Sequence, residues 1–225
     1  PEVYEREGRA LLQAAQRDEA IVSLQRALYL RPQNPGLREM LRSLQGDDGT
    51  AGTQFALEPR LLLKEADAYA NEDAVTLADT TYVKVQPSGL SSRFQQVAVK
   101  VFNQRGVDAY RSLPISYSPN RQEVRVLKAR ITKPDGAVVE SYGESDRALN
   151  EPWTGMYYDA RAKVLAFPAL APGDVLEVQY RLDDNALENL LSDYWGDVDY
   201  VQSTVPKLRY QYLVQVNTGQ LVVEF

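Results

Sequence analysis

The sequence predicts an α+β chain in which an N-terminal helical hairpin is followed by a mainly antiparallel, β-sandwich-like domain. Two patterns carry that expectation. Apolar residues recur at helical spacing as far as residue 45, and from residue 76 onward they alternate with period two between turn signals. The stretch from Arg121 to Ser141 is the clearest case of the second pattern. Leu127, Ala129 and Ile131 alternate with Lys128 and Arg130, and Pro134-Asp-Gly136 then supplies a tight turn. Upstream, Val124 and Val126 fall on the opposite parity. That predicts either a strand buried on both faces or a bulge that resets its phase. The expected division is a helical repeat and capping helix over 1–45, a flexible linker over 46–58 and a β-sandwich-like accessory domain over 59–225.

In the first helix Leu11, Leu12 and Ala15 form a buried stripe, with Tyr4 and Gly8 on a neighbouring line. Gln16-Arg-Asp18 is the expected turn. Ala20, Ile21, Leu24, Ala27 and Leu28 line the second helix, which Pro32 and Pro35 should stop. Tyr4, Gly8, Leu11, Ala20, Leu24, Ala27 and Pro32 have the spacing of the tetratricopeptide signature, so this stretch resembles one such repeat. Glu7 and Leu11 depart from it, standing where Leu and an aromatic are usual. A generic helical hairpin is the alternative. Leu37, Met40, Leu41 and Leu44 predict a third helix. Solenoid grooves need stacked repeats, so further repeats are expected upstream. The chain begins Pro1-Glu-Val rather than with Met, which predicts a piece of a longer protein. Glu5, Arg6, Arg9 and Gln13 face away from the Leu11 stripe and are the candidate partner-facing surface, a solvated helix face being the plainer use of them.

Gly46-Asp-Asp-Gly-Thr-Ala-Gly-Thr53 has linker composition, and Pro59 should open a short helix whose Leu63 and Ala66 dock on the β-domain or on the hairpin. Strands are expected at Thr80–Gln86, Phe94–Phe102, Val107–Tyr117 and either side of the Pro134 turn. Short β pieces are expected at Met156–Tyr158 and Val164–Phe167. Val175–Arg181 follows, then Leu208 to Val216 with strict alternation, and Leu221–Phe225.

Four ordered segments then form a resemblance: Val99-Lys-Val-Phe-Asn-Gln-Arg-Gly106, Val126 through Lys133-Pro-Asp-Gly136, Tyr158-Asp-Ala-Arg161, and Phe167-Pro-Ala-Leu-Ala-Pro-Gly-Asp-Val-Leu-Glu177. Residues 65–225 are similar to the domain of unknown function that precedes transglutaminase-like domains in bacterial envelope proteins. The resemblance implies a sandwich-like accessory domain, often joined to repeats and periplasmic or otherwise exported. It brings no catalytic residues, because that family keeps its Cys-His-Asp machinery in the following domain.

Composition limits the chemistry. Without Cys or His the chain has no Ser-His-Asp triad, no thiol nucleophile, no thiolate or imidazole zinc site and no disulfide. A formal net charge of −6 argues against a nucleic-acid partner, and no apolar run reaches the length of a membrane helix. Neither a phosphate-binding glycine motif nor a helix–loop–helix calcium loop is present. Trp153, Tyr157 and Tyr158 cluster, as do Tyr194, Trp195 and Tyr200 beside Asp193, Asp197 and Asp199. Such aromatics most often pack at sandwich edges; gripping a glycan or a peptide is the alternative. Asp183-Asp184 and the Asp193–Asp199 group could form a hydrolytic carboxylate pair or a calcium site, against a default of a solvated acidic loop. The expectation is a non-catalytic scaffold with no cofactor and no metal, positioning a protein partner or a downstream transglutaminase-like domain. A glycan- or peptide-binding module is the second reading, and a carboxylate-dependent hydrolase fragment a remote third.

Overall fold

Three helices open the chain in the computed structural model, which describes residues 1–31, 34–45, 50–85, 90–149, 160–184, 195–216 and 219–224. Helix α1 spans Glu2–Gln13, α2 Arg17–Leu30 and α3 Pro35–Gln45. The small residues act as expected: Gly8, Ala20 and Ala27 are buried between α1 and α2, and a Cβ on Gly8 would come within 2.5 Å of Leu24 Cγ. Leu24, Leu28, Leu37 and Leu41 fill the space between the helices, with Tyr4 and Leu12 packed against them. Leu11 is only half-buried, and Ala15 is exposed.

The first turn lies two residues earlier than the sequence predicts. Ala15 takes the left-handed conformation at φ 59°, so that its N–H bonds the Leu12 carbonyl and the Gln16 N–H bonds that of Leu11. This is a Schellman closure built on alanine rather than glycine. Pro35 does not stop α2, which has already ended at Leu30; it is the first residue of α3. Asn34 precedes it and caps the Leu37 N–H at 3.1 Å.

Residues 50–58, expected as free linker, lie against the β-domain. Gly52, at φ 95°, is buried where a Cβ would meet Phe94 Cβ at 2.4 Å. Phe55 stacks on Tyr82 with ring centroids 4.8 Å apart. Pro59–Leu62 and Asp67–Tyr69 are 3-10 turns flanking the one-turn helix α4, Leu63–Ala66. Leu62 and Ala66 pack with Val75, Leu77, Ala78 and Ala98, with Leu63 beside them, so this short helix docks on the β-domain rather than on the hairpin.

The strands are β1 Ala74–Val85, β2 Ser91–Val101, β3 Ser112–Tyr117, β4 Gln122–Thr132, β5 Val138–Val139, β6 Gly143–Ala148, β7 Arg161–Ala166, β8 Val175–Asp184, β9 Tyr210–Val216 and β10 Gly219–Glu224. They form a seven-stranded sheet in the order β10-β9-β1-β2-β8-β4-β5 and a three-stranded sheet β3-β7-β6. All pairings are antiparallel except β1 with β9, which is parallel from Asp79↔Tyr210 to Lys84↔Gln215. The main core lies between the sheets. Val99, Val101, Ile131, Leu176 and Val178 from the larger sheet meet Ile115 and Leu165 from the smaller, with Phe167 beside them.

The phase reversal in β4 is a bulge between Val126 and Lys128. The turn after it closes with Gly136 at φ 89° and its N–H on the Lys133 carbonyl. Val107–Tyr110 is not strand but the end of helix α5, Gln104–Tyr110, whose start is fixed by Asn103 Oδ1 accepting the Gly106 N–H. Met156–Tyr158 lies outside the described residues.

Candidate functional site

Two surfaces could meet a partner: the joint between helices and sheet, and an aromatic and acidic patch on the opposite side of the larger sheet. Both are built from alternating residues that a buried strand would normally make apolar.

At the joint, the bulge in β4 leaves Glu123 and Arg125 on the face that α3 approaches. Glu123 accepts from Arg42 at 2.5 Å and lies 4.0 Å from Arg38, both on α3. Arg17, at the start of α2, donates to the Leu44 carbonyl at the end of α3 at 2.8 Å and ties those two helices together. Below Glu123, Arg125 stands directly across the β4–β8 pair from Arg181, which is 1% exposed. Two guanidinium groups so placed repel each other unless a carboxylate lies between them. Asp183 is that carboxylate, at 2.8 Å from Arg181 and 3.3 Å from Arg125. Among the described residues the pairs of Arg38 and Arg42 with Glu123 connect the helical tip to the sheet.

On α1 the predicted partner-facing residues Arg6, Arg9 and Gln13 are exposed and Glu5 is half-buried; Glu5 and Arg9 pair with each other across one turn at 3.0 Å. They form an accessible face, and among the described residues the pair engages nothing else.

The second surface uses the strap that follows Trp195. Asp197 bonds both Arg93 and the Tyr212 hydroxyl, and Asp199 lies 3.7 Å from Arg93 and 3.4 Å from the Thr81 hydroxyl. Asp79 takes Lys207 at 2.6 Å and Gln95 at 2.8 Å. With the carboxylates turned inward, Val198 and Tyr200 point outward, 77% and 79% exposed. Burial pushes the Tyr180 hydroxyl up to about 12, and burial followed by the nearby charge of Asp199 does the same to Tyr210. Both tyrosines therefore stay neutral hydrogen-bonding groups at any ordinary pH. Asp197 and Asp199 share one arginine between them. These contacts tie the strap to β2 and β9.

Of the five aromatics proposed from the sequence, Trp153, Tyr157, Tyr158 and Tyr194 lie outside the described residues. Trp195 is half-buried, packed against Val83, Val85 and Val214. Sequence reasoning did not single out Glu123, Arg42, Arg93 or Asp79. For the three strand residues the signal was charge at the inward parity, which looks identical to an outward-facing residue until the register is known, and Arg42 reads as an ordinary polar position of α3.

A family model described as a domain of unknown function with a solved structure, DUF3857, matches residues 87–223, more than half of the chain. The chain belongs to the DUF3857 family. The matched span leaves out β1, although β1 sits third in the larger sheet, so the DUF3857 sandwich of this protein includes strand and strap residues that precede the family model. No curated protein matches the chain. Among solved structures, a Parabacteroides distasonis protein described as a possible protease superposes with a TM-score of 0.54 at 15% identity, over 64% of this chain and 29% of that one. The likeness is one of fold, and the chain spans under a third of that relative's length. A yeast leukotriene A4 hydrolase superposes at TM-score 0.33 and 12% identity, over 65% of this chain and 24% of that one. The CBM3a-L domain of a Clostridium thermocellum cellulosome scaffoldin gives 0.31 at 14% identity, over 57% of this chain and 79% of that one. Likeness at that level carries no argument about either fold or function.

Proposed function

We propose that the chain is a non-catalytic scaffold: a tetratricopeptide-like helical tip held at a set angle to a DUF3857 sandwich, positioning a protein partner or a downstream transglutaminase-like domain in a bacterial envelope protein. The observation that carries this reading is the joint. A flexible tether between helices and sandwich would need no ion pairs, whereas here Arg38 and Arg42 converge on Glu123 and the 50–58 strap is pinned to the sheet. A partly exposed pair of this kind contributes up to about 1 kcal/mol, which favours one orientation roughly fivefold. The repeat-like packing of Gly8 against Leu24 supports the solenoid part. Export to the envelope is part of the same proposal and follows from the resemblance.

The chain has no native Cys, so spin labels can be placed at will. Labels at Arg9→Cys and Glu140→Cys, read by double electron–electron resonance, should give one narrow distance that broadens when Glu123→Lys turns the joint repulsive. A broad distribution in the unaltered chain would show two independently moving parts and sink the scaffold reading.

A further inference from the structure

Three polar side chains stand in one row on the sheet face that the 50–58 strap covers. The register pairs Gln96 of β2 with Gln179 of β8, and Gln179 with Lys128 of β4. The first of them shows what such a side chain does here. Gln96 Oε1 accepts the Leu57 N–H at 2.8 Å, and Gln96 Nε2 donates to the Leu57 carbonyl at 2.8 Å. The carboxamide thus holds one residue of extended backbone as a neighbouring strand would. Its remaining N–H goes to Glu177 at 2.9 Å.

Gln179, one strand over and 4% exposed, donates to the same Glu177 oxygen at 2.7 Å. A carboxylate only accepts, so that bond fixes which end of the carboxamide is nitrogen. Glu177 itself is spent: its other oxygen takes Arg130 Nε at 2.7 Å. Among the described residues the carbonyl oxygen of Gln179 accepts no hydrogen bond and its second N–H makes none. An acceptor and a donor are thus left over on a side chain that is otherwise buried. Gln179 lines a cleft of about 520 Å³ whose other walls include Ala56, Leu57, Leu127, the exposed Glu58 and Glu177, whose charge Arg130 and Lys128 offset, a volume in the range of small-ligand sites. Lys128 stands at its rim with its side chain 39% exposed and its ammonium 3.7 Å from Glu177, which leaves donors to spare.

We propose that this cleft binds the free carboxy-terminal end of an extended peptide. Gln179 pairs with the N–H and carbonyl of the penultimate residue as Gln96 pairs with Leu57. Lys128 takes the terminal carboxylate, and an apolar terminal side chain lies among Ala56, Leu57 and Leu127. The proposal goes beyond the scaffold reading, which needs no ligand here.

The test is a nuclear magnetic resonance titration of the full chain with acetyl-Ala-Ala-Leu as the free acid and as the terminal amide, followed on the Gln179 side-chain NH2 signals. The free acid should shift those signals saturably, and the amide should bind roughly tenfold more weakly for want of the charged contact. Lys128→Met should weaken the acid by a similar factor and erase the acid–amide difference, while Gln179→Leu abolishes binding of both. Should Gln179→Leu fail to fold, Lys128→Met at the solvent-facing rim decides alone. Unmoved Gln179 signals at millimolar peptide, equal binding of acid and amide, or an indifferent Lys128→Met variant would each overturn the proposal.

Discussion

At the scale of single residues, two positions hold backbone that their neighbours dictate. Ala15 closes α1 in a left-handed conformation, φ 59°, that costs an L-residue about 1–2 kcal/mol. Ala15→Gly keeps both Schellman hydrogen bonds without that cost, so it should raise the stability of the helical tip by roughly 1 kcal/mol, measured as a shift in the urea midpoint of far-UV circular dichroism. Gly52 is the reverse case. At φ 95° and with Phe94 Cβ 2.4 Å from where its own Cβ would stand, it admits no side chain. Gly52→Ala should cost roughly 3 kcal/mol and detach Phe55 from Tyr82, visible as altered near-UV dichroism. An unchanged melting curve would mean that the strap lies elsewhere in solution.

At the scale of elements, what could be read ahead followed how much of each pattern was local. The β4 turn was legible because Pro134, Asp135 and Gly136 each act through their own backbone, and the bulge left a visible mark in the parity of Val124 and Val126. Helix α5 was missed because its start depends on one capping side chain, Asn103, while Val107 and Tyr110 alone suit a strand. Strand β6 was missed because Gly143-Glu-Ser-Asp-Arg-Ala148 is exposed throughout and has no apolar face to betray it. The row of Gln96, Gln179 and Lys128 was out of reach for a different reason. These residues lie on three strands, and only the pairing register brings them level.

For the molecule as a whole, polar groups buried on the larger sheet make stability depend on pH at the alkaline end. Tyr180 and Tyr210 ionise only near 12 in the fold against an ordinary value of 10. Both states keep their protons below pH 10, so nothing is lost there. Between about 10 and 12 the unfolded chain releases protons that the native one retains, and stability falls as pH rises. Thermal unfolding followed from pH 8 to pH 11 should show a flat melting temperature and then a decline, shallower in Tyr180→Phe. A decline of the same steepness in that variant would place the coupling elsewhere.

The parallel register of β1 with β9 joins Asp79 to Tyr210 across most of the chain's length. On a ribosome, β1, β2, β8 and β4 can assemble while the stretch that becomes β9 is still inside the exit tunnel. For that interval the flank of β1 is a bare row of amide and carbonyl groups ending in Val83 and Val85, open to a stray strand from any neighbour. A form stopped before Lys207 should therefore clump where the 225-residue chain with β9 in place stays dispersed, so the late-arriving β9 segment doubles as the molecule's own guard against aggregation.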